Sequence, residues 1–134
     1  LAMGAFLLLS VDYRVGAAGP YKLGANEVAI GLIMPWFGVE MCRQRLTPAY
    51  FHRSVINAEI YSPEQAVAAG FLDRVVADDQ VIDAARDEAR RLAGLDRAVH
   101  TATKLRAREQ ALTALRAAIA TDSRDFRKLF NVTD

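Results

Sequence analysis

The sequence predicts an α/β protein in which short strands and turns come first and helices take over. Three observations predict it. The first part holds apolar runs broken by Gly16, Gly19, Pro20, Gly24, Gly31, Pro35 and Gly38, which is the punctuation of short elements joined by turns. Two helix starts follow, Thr47-Pro48 and Ser62-Pro63-Glu64-Gln65, each a capping residue before a proline at the first helical position. From Asp78 onward apolar residues recur at helical spacing among charged ones.

Taken in order, Leu1 to Leu9 is apolar without alternation and reads as the start of a buried helix. It is too short to span a bilayer, which takes ~20 apolar residues, and it lacks the basic flank of a signal peptide. Its abrupt beginning fits a piece of a longer protein. Asp12 to Val15 reads as a short strand, Gly16 to Pro20 as a turn, and Tyr21 to Leu23 as a second short strand. Gly24-Ala25-Asn26-Glu27 turns the chain into the apolar run Val28 to Ile33. After Pro35 the stretch Trp36 to Leu46 fits a helix with Val39, Cys42 and Leu46 on one face. The next helix runs from Pro48 to about Ile56. The one after it opens with a capping box, because Gln65 lies three residues past Ser62, and it closes at Gly70. Phe71 to Val76 is extended. A helix from Asp78 carries Val81, Ile82, Ala85, Ala89 and Leu92 and ends at Gly94. A long helix then spans Asp96 to Ala120, and a short one spans Ser123 to Phe130. Leu105, Leu112, Leu115 and Ile119 form a stripe that must be covered.

The totals exclude several classes. The chain has 134 residues, 52% of them hydrophobic, enough for one domain with a core. A net charge of +1 argues against nucleic acid as the main partner. One cysteine, Cys42, excludes an internal disulfide framework and suits a reducing cytoplasm. His52 and His100 lie far apart with no ligand spacing around them, so no metal is expected. The basic residues near the C-terminus read as a solvated helix face.

Within this frame one acid stands out. Glu27 is the single carboxylate of the segment Leu23 to Gly38. Glu40 and Glu59 have no local reason to be catalytic: the first belongs on the solvent side of a helix and the second lies near a turn.

Asp12-Tyr13-Arg14, Gly24-Ala25-Asn26-Glu27, Ile30-Gly31-Leu32-Ile33-Met34-Pro35, and Ser62-Pro63-Glu64-Gln65-Ala66 running to Gly70-Phe71-Leu72-Asp73-Arg74-Val75-Val76 occur in this order. Together they resemble the enoyl-CoA hydratase/isomerase (crotonase) superfamily. The resemblance implies a ClpP/crotonase-like fold. Residues 1–76 would be the C-terminal part of its β/α core. Residues 77–134 would be a helical region used for trimerisation and for the mouth of the CoA site. It also implies an upstream half that supplies one N–H of an oxyanion hole, with the amide of Met3 as the other donor and Gly4 beside it. The family usually has glycine where Met3 stands.

The resemblance gives the acid a task. Preorganised N–H donors stabilise the enolate of a thioester, and a positioned carboxylate removes the proton. Glu27 matches that carboxylate. Hydratases of the superfamily use two glutamates to hold a water, and this sequence has Phe6 where the other would fall. A phenyl ring cannot activate water. The delta3-delta2-enoyl-CoA isomerases need one carboxylate, and the pattern here is similar to theirs: an apolar residue like Phe6, an Asn-Glu pair like Asn26-Glu27, and aromatics after a proline like Pro35-Trp36-Phe37. Pro35, Trp36 and Phe37 would line an acyl tunnel, with Gly4 and Phe6 also at the substrate. The implied partner is an enoyl-CoA thioester, with no cofactor beyond the CoA that the substrate carries. The implied assembly is a homotrimer or dimer of trimers, without membrane insertion. Hydration, or acyl-CoA binding without turnover, are the alternatives.

Overall fold

The computed structural model describes residues 1–129. It comprises α1 (Met3–Leu9), β1 (Val15–Ala17), α2 (Trp36–Arg45), α3 (Pro48–Val55), α4 (Pro63–Ala69), β2 (Arg74–Val76), α5 (Val81–Ala93), α6 (Arg97–Ala107) and α7 (Glu109–Leu129). Single 3₁₀ turns occupy Val28–Ile30 and Asp78–Gln80.

The two strands pair in parallel, Val15 against Arg74 and Ala17 against Val76. The predicted first strand is thus displaced toward Gly16. The reason is tertiary: Arg14 sits at the strand's edge, where its carbonyl accepts from the amides of Asp73 and Arg74. Leu23 forms an isolated antiparallel bridge with Tyr61 rather than a strand. The apolar run Val28 to Ile33 is a 3₁₀ turn and a loop, since left-handed Gly31 (φ 79°) ends the helical turn at once.

The core gathers under α1–α4. Phe6, Leu9, Cys42, Leu46, Val55, Tyr61, Phe71 and Leu72 form one cluster. The capping box at Ser62 is complete. The Gln65 amide donates to the Ser62 hydroxyl, and the Ser62 amide donates to the Gln65 side chain. Gly70 caps α4 with φ 94°, and a Cβ there would meet the Arg45 carbonyl at 2.7 Å. Only glycine serves at that position.

The last third differs from expectation in three ways. On α5 the buried residue is Ala84, whereas Ile82 is 61% exposed. The predicted long helix breaks at Arg108 (φ −103°, ψ 4°), so Leu105 belongs to a different helix from Leu112, Leu115 and Ile119. Finally, α7 runs unbroken through Thr121-Asp122-Ser123, which looks like a helix start but is not one. The Thr121 hydroxyl donates to the Ala117 carbonyl one turn back, a mid-helix habit of threonine, and Asp122 is engaged elsewhere. The predicted end of that segment, Phe130, lies outside the described residues.

Candidate functional site

Glu27 is positioned from both sides. Upstream, the Leu23–Tyr61 bridge closes with two backbone hydrogen bonds of 3.0 and 2.9 Å. Gly24 then passes so close to Glu59 and Ile60 that a Cβ would lie 2.8 Å from the Ile60 side chain and 3.0 Å from the Glu59 carbonyl. This passage puts Ala25 fully inside. Downstream, the amides of Ile30 and Leu32 both donate to the Glu27 carbonyl, at 3.1 and 2.9 Å, and Gly31 supplies the left-handed residue that closes the turn. The acid is held rigidly and is 6% exposed.

Its carboxylate is incompletely partnered. Glu27 Oε2 and the neighbouring Asn26 Oδ1 are buried without a hydrogen-bond partner. A buried carboxylate in that condition is costly, and such atoms in a native fold call for an explanation. The adjoining wall is apolar. Cys42 on α2 is fully buried, and its thiol is pushed up to about 12, first by burial and then by the Glu27 charge.

The other predicted residues fall into two groups. Phe6 is buried at 2% exposure and stacks edge-on against Phe37, ring centroids 5.3 Å apart. Gly38 makes room for it, since a Cβ there would meet the Phe6 ring at 2.7 Å. Phe6 is therefore a packed core residue beneath α2. Met3 and Gly4 open α1. The Gly4 and Ala5 amides donate back to Leu1 and Ala2, whereas the Met3 amide has no acceptor among the described residues. Ala2 before it has φ 50°, an uncommon conformation for alanine. The Met3 side chain is 56% exposed.

Pro35, Trp36 and Phe37 line a cleft of about 910 Å³ between the start of α2 and the later turns of α7, where Ile119, Asp122 and Phe126 form the facing wall. Glu27 is not on its wall; the cleft begins at Ile33, further along the same segment. Sequence reasoning missed Asp122. Its carboxylate accepts from the amides of Trp36 and Phe37 at 2.9 and 2.8 Å. A signal for it was present. The residue before α2 is Pro35, which offers no side-chain cap, so the first amides of α2 needed an acceptor from elsewhere.

Two of the basic residues read as a solvated face pair with an acid instead. Lys104 and Arg108 both pair with Asp12, at 2.5 and 2.9 Å, which anchors α6 to the loop after α1. Glu40 pairs with Arg43 and Glu59 with Arg53. Among the described residues no group of three metal-ligating side chains gathers, and no helix is long and apolar enough to cross a membrane.

A family model described as enoyl-CoA hydratase/isomerase matches residues 1–134. The chain belongs to the enoyl-CoA hydratase/isomerase family. Among curated relatives, the mitochondrial enoyl-CoA delta isomerase 1 of Mus musculus is 35% identical over 86 residues, which cover 63% of this chain and 30% of that protein. The probable enoyl-CoA hydratase EchA17 of Mycobacterium tuberculosis is 35% identical over 91 residues, covering 68% and 34%. A solved enoyl-CoA hydratase/isomerase family protein from Pseudomonas syringae superposes with a TM-score of 0.88 at 50% identity, covering 90% of this chain and 53% of that one. The chain thus spans about a third of these curated relatives and about half of the solved structure. The crotonase fold read from the motifs is the fold observed.

Proposed function

We propose that the protein of which this chain forms part shifts a double bond in an enoyl-CoA thioester from delta3 to trans-2, with Glu27 as the sole acid and base. The carboxylate takes a proton from C2. The electron pair spreads through the C3=C4 bond and onto the thioester oxygen, toward which the Met3 amide is offered as a donor. Glu27 then returns the proton at C4, leaving the double bond between C2 and C3. No electron or cofactor is consumed. The observation that carries this reading is a buried carboxylate with an unpartnered oxygen, in a chain that has Phe6 where the resemblance would put a hydratase's other glutamate.

The likeness to the probable hydratase EchA17 favours a second reading, hydration across the trans-2 bond. The intact protein, assayed in parallel with trans-3- and trans-2-enoyl-CoA, separates the two. Isomerisation without hydration is expected. Hydration without isomerisation would replace the first reading with the second, and neither activity would favour a binding role. The same reading includes a cytoplasmic homotrimer or dimer of trimers. A monomeric mass by light scattering would refute it.

A further inference from the structure

We infer that Asp122 is a positioning residue that latches α7 over the start of α2, and that this latch fits the cleft to acyl chains of medium to long length. The inference rests on the acyl-CoA reading above.

The latch itself is geometric. Two successive amides at the N-terminus of α2, those of Trp36 and Phe37, converge on the two carboxylate oxygens of one residue 86 and 85 positions away. Charge and helix dipole reinforce the contact. Pro35 precedes α2 and carries no cap of its own, so Asp122 supplies from a distant helix what most helices supply locally.

The consequence falls on the cleft. Trp36 and Phe37 are the residues whose amides are held, and their side chains line one wall. One turn before Asp122 on α7 is Ile119, and one turn after it is Phe126, both on the opposite wall. Distance and register between the walls are therefore set at one point. The space of about 910 Å³ lies at the upper end of the ~300–1,000 Å³ range of small-molecule sites. That is more room than a butanoyl chain fills. Trp36 and Ile119 place apolar side chains on the two facing walls.

The test uses the intact protein and saturated, unreactive butanoyl-, octanoyl-, dodecanoyl- and hexadecanoyl-CoA. Trp36 is the one tryptophan of this sequence, so its fluorescence reports occupancy of the cleft, with Trp36→Phe as the control that assigns the signal. Wild-type affinity should rise with chain length. Asp122→Ala should cut the affinity for dodecanoyl-CoA by about tenfold or more, because each buried methylene contributes to binding, while leaving butanoyl-CoA within about twofold. Asp122→Asn, which keeps one carbonyl acceptor, should fall between. In turnover, Asp122→Ala should raise KM more for long enoyl-CoA than for short. A merely destabilised protein would lose all lengths together. If Asp122→Ala does not fold, Ile119→Trp fills the cleft with the latch intact and should shift preference toward shorter chains. Equal binding of all lengths by wild type, or an equal loss for all lengths in Asp122→Ala, would overturn the latch. Failure of the wild type to bind any acyl-CoA would overturn the acyl-CoA reading with it. Chain-length-selective binding without isomerisation would overturn only the catalytic reading and support the latch.

Discussion

Arg14 and Glu27 are buried to nearly the same depth, 5% and 6% exposed, and their partners could hardly differ more. The Arg14 guanidinium donates to both oxygens of Asp73, at 2.8 and 2.7 Å, and to the Gly70 carbonyl. The Arg14 amide adds a third contact to Asp73 at 2.9 Å. This clasp ties β1 to the turn between α4 and β2. Glu27 has a fixed backbone and an orphaned oxygen beside an orphaned Asn26. A buried charge with each of its guanidinium nitrogens engaged is a structural staple. A buried charge left incomplete on a rigid turn costs stability and is retained where a ligand completes it. The contrast supports the proposal that Arg14 belongs to the scaffold and Glu27 to the site.

The sharpest way to break that contrast is to neutralise Glu27. Glu27→Gln keeps the volume and removes the base. General acid–base catalysis is typically worth ~10²–10⁴-fold, and a sole base has no backup, so kcat for isomerisation in the intact protein should fall toward the upper end of that range. Folding should be unaffected or improved, because an amide is cheaper to bury than an unpaired carboxylate. A variant that keeps more than about a tenth of wild-type kcat would make Glu27 structural, and the contrast would collapse.

The reverse experiment belongs to the clasp. Arg14→Met should leave Asp73 without its main partner and destabilise the fold by ~3 kcal/mol, at the lower end of what breaking a buried pair costs, because the Asp73 side chain is 30% exposed. Chemical denaturation measures it. Catalytic parameters of the folded fraction should change little. A loss below about 1 kcal/mol, the range of surface pairs, would show that the clasp is not a staple.

How much of this was legible beforehand follows sequence distance. The capping box at Ser62 and the stop at Gly70 are local, and both were readable. Glu27 stood out because a single acid in an apolar, glycine-punctuated segment is visible in the letters. Arg14 and Asp73 lie 59 residues apart, and Asp122 lies 85 from Phe37. Each belongs to a short, ordinary-looking stretch whose partner is chosen by the fold. The break at Arg108 was not legible either; its side chain pairs with Asp12, 96 residues earlier. Thr121-Asp122-Ser123 misled because good capping residues signal a helix start only when their own helix needs them.

Acid should weaken the clasp before it touches Glu27's backbone. Burial pushes the Asp73 carboxyl up, but the Arg14 hydrogen bonds and charge outweigh it and hold the group below the ordinary range. A lowered carboxyl contributes stability that is present above the unfolded value, ~3.9, and is lost as pH falls through the folded one. Tm should therefore be insensitive to Asp73 from neutral pH to about pH 5 and decline below about pH 4. The acid limb should be shallower in Asp73→Asn. An unchanged limb would mean that Asp73 does not report the clasp.

The smallest expected effect concerns Asp12, two residues before Arg14. Asp12 holds Lys104 at 2.5 Å and Arg108 at 2.9 Å, and chiefly the Lys104 hydrogen bond keeps its carboxyl low. Its side chain is 36% exposed and that of Lys104 is 38% exposed, so solvent screens both contacts. Exposed pairs are worth ~0–1 kcal/mol, even when two cations share one carboxylate. Asp12→Ala should therefore cost well under what Arg14→Met costs, although the two residues stand two positions apart. The small loss should shrink further in high salt, because the Debye length falls to ~3 Å at 1 M, while the cost of Arg14→Met should persist. Denaturation of both variants at low and high ionic strength is the check. If Asp12→Ala matched Arg14→Met in size and resisted salt, burial would not be what distinguishes a staple from a tether in this fold, and the separation of scaffold from site drawn from Arg14 and Glu27 would lose its physical basis.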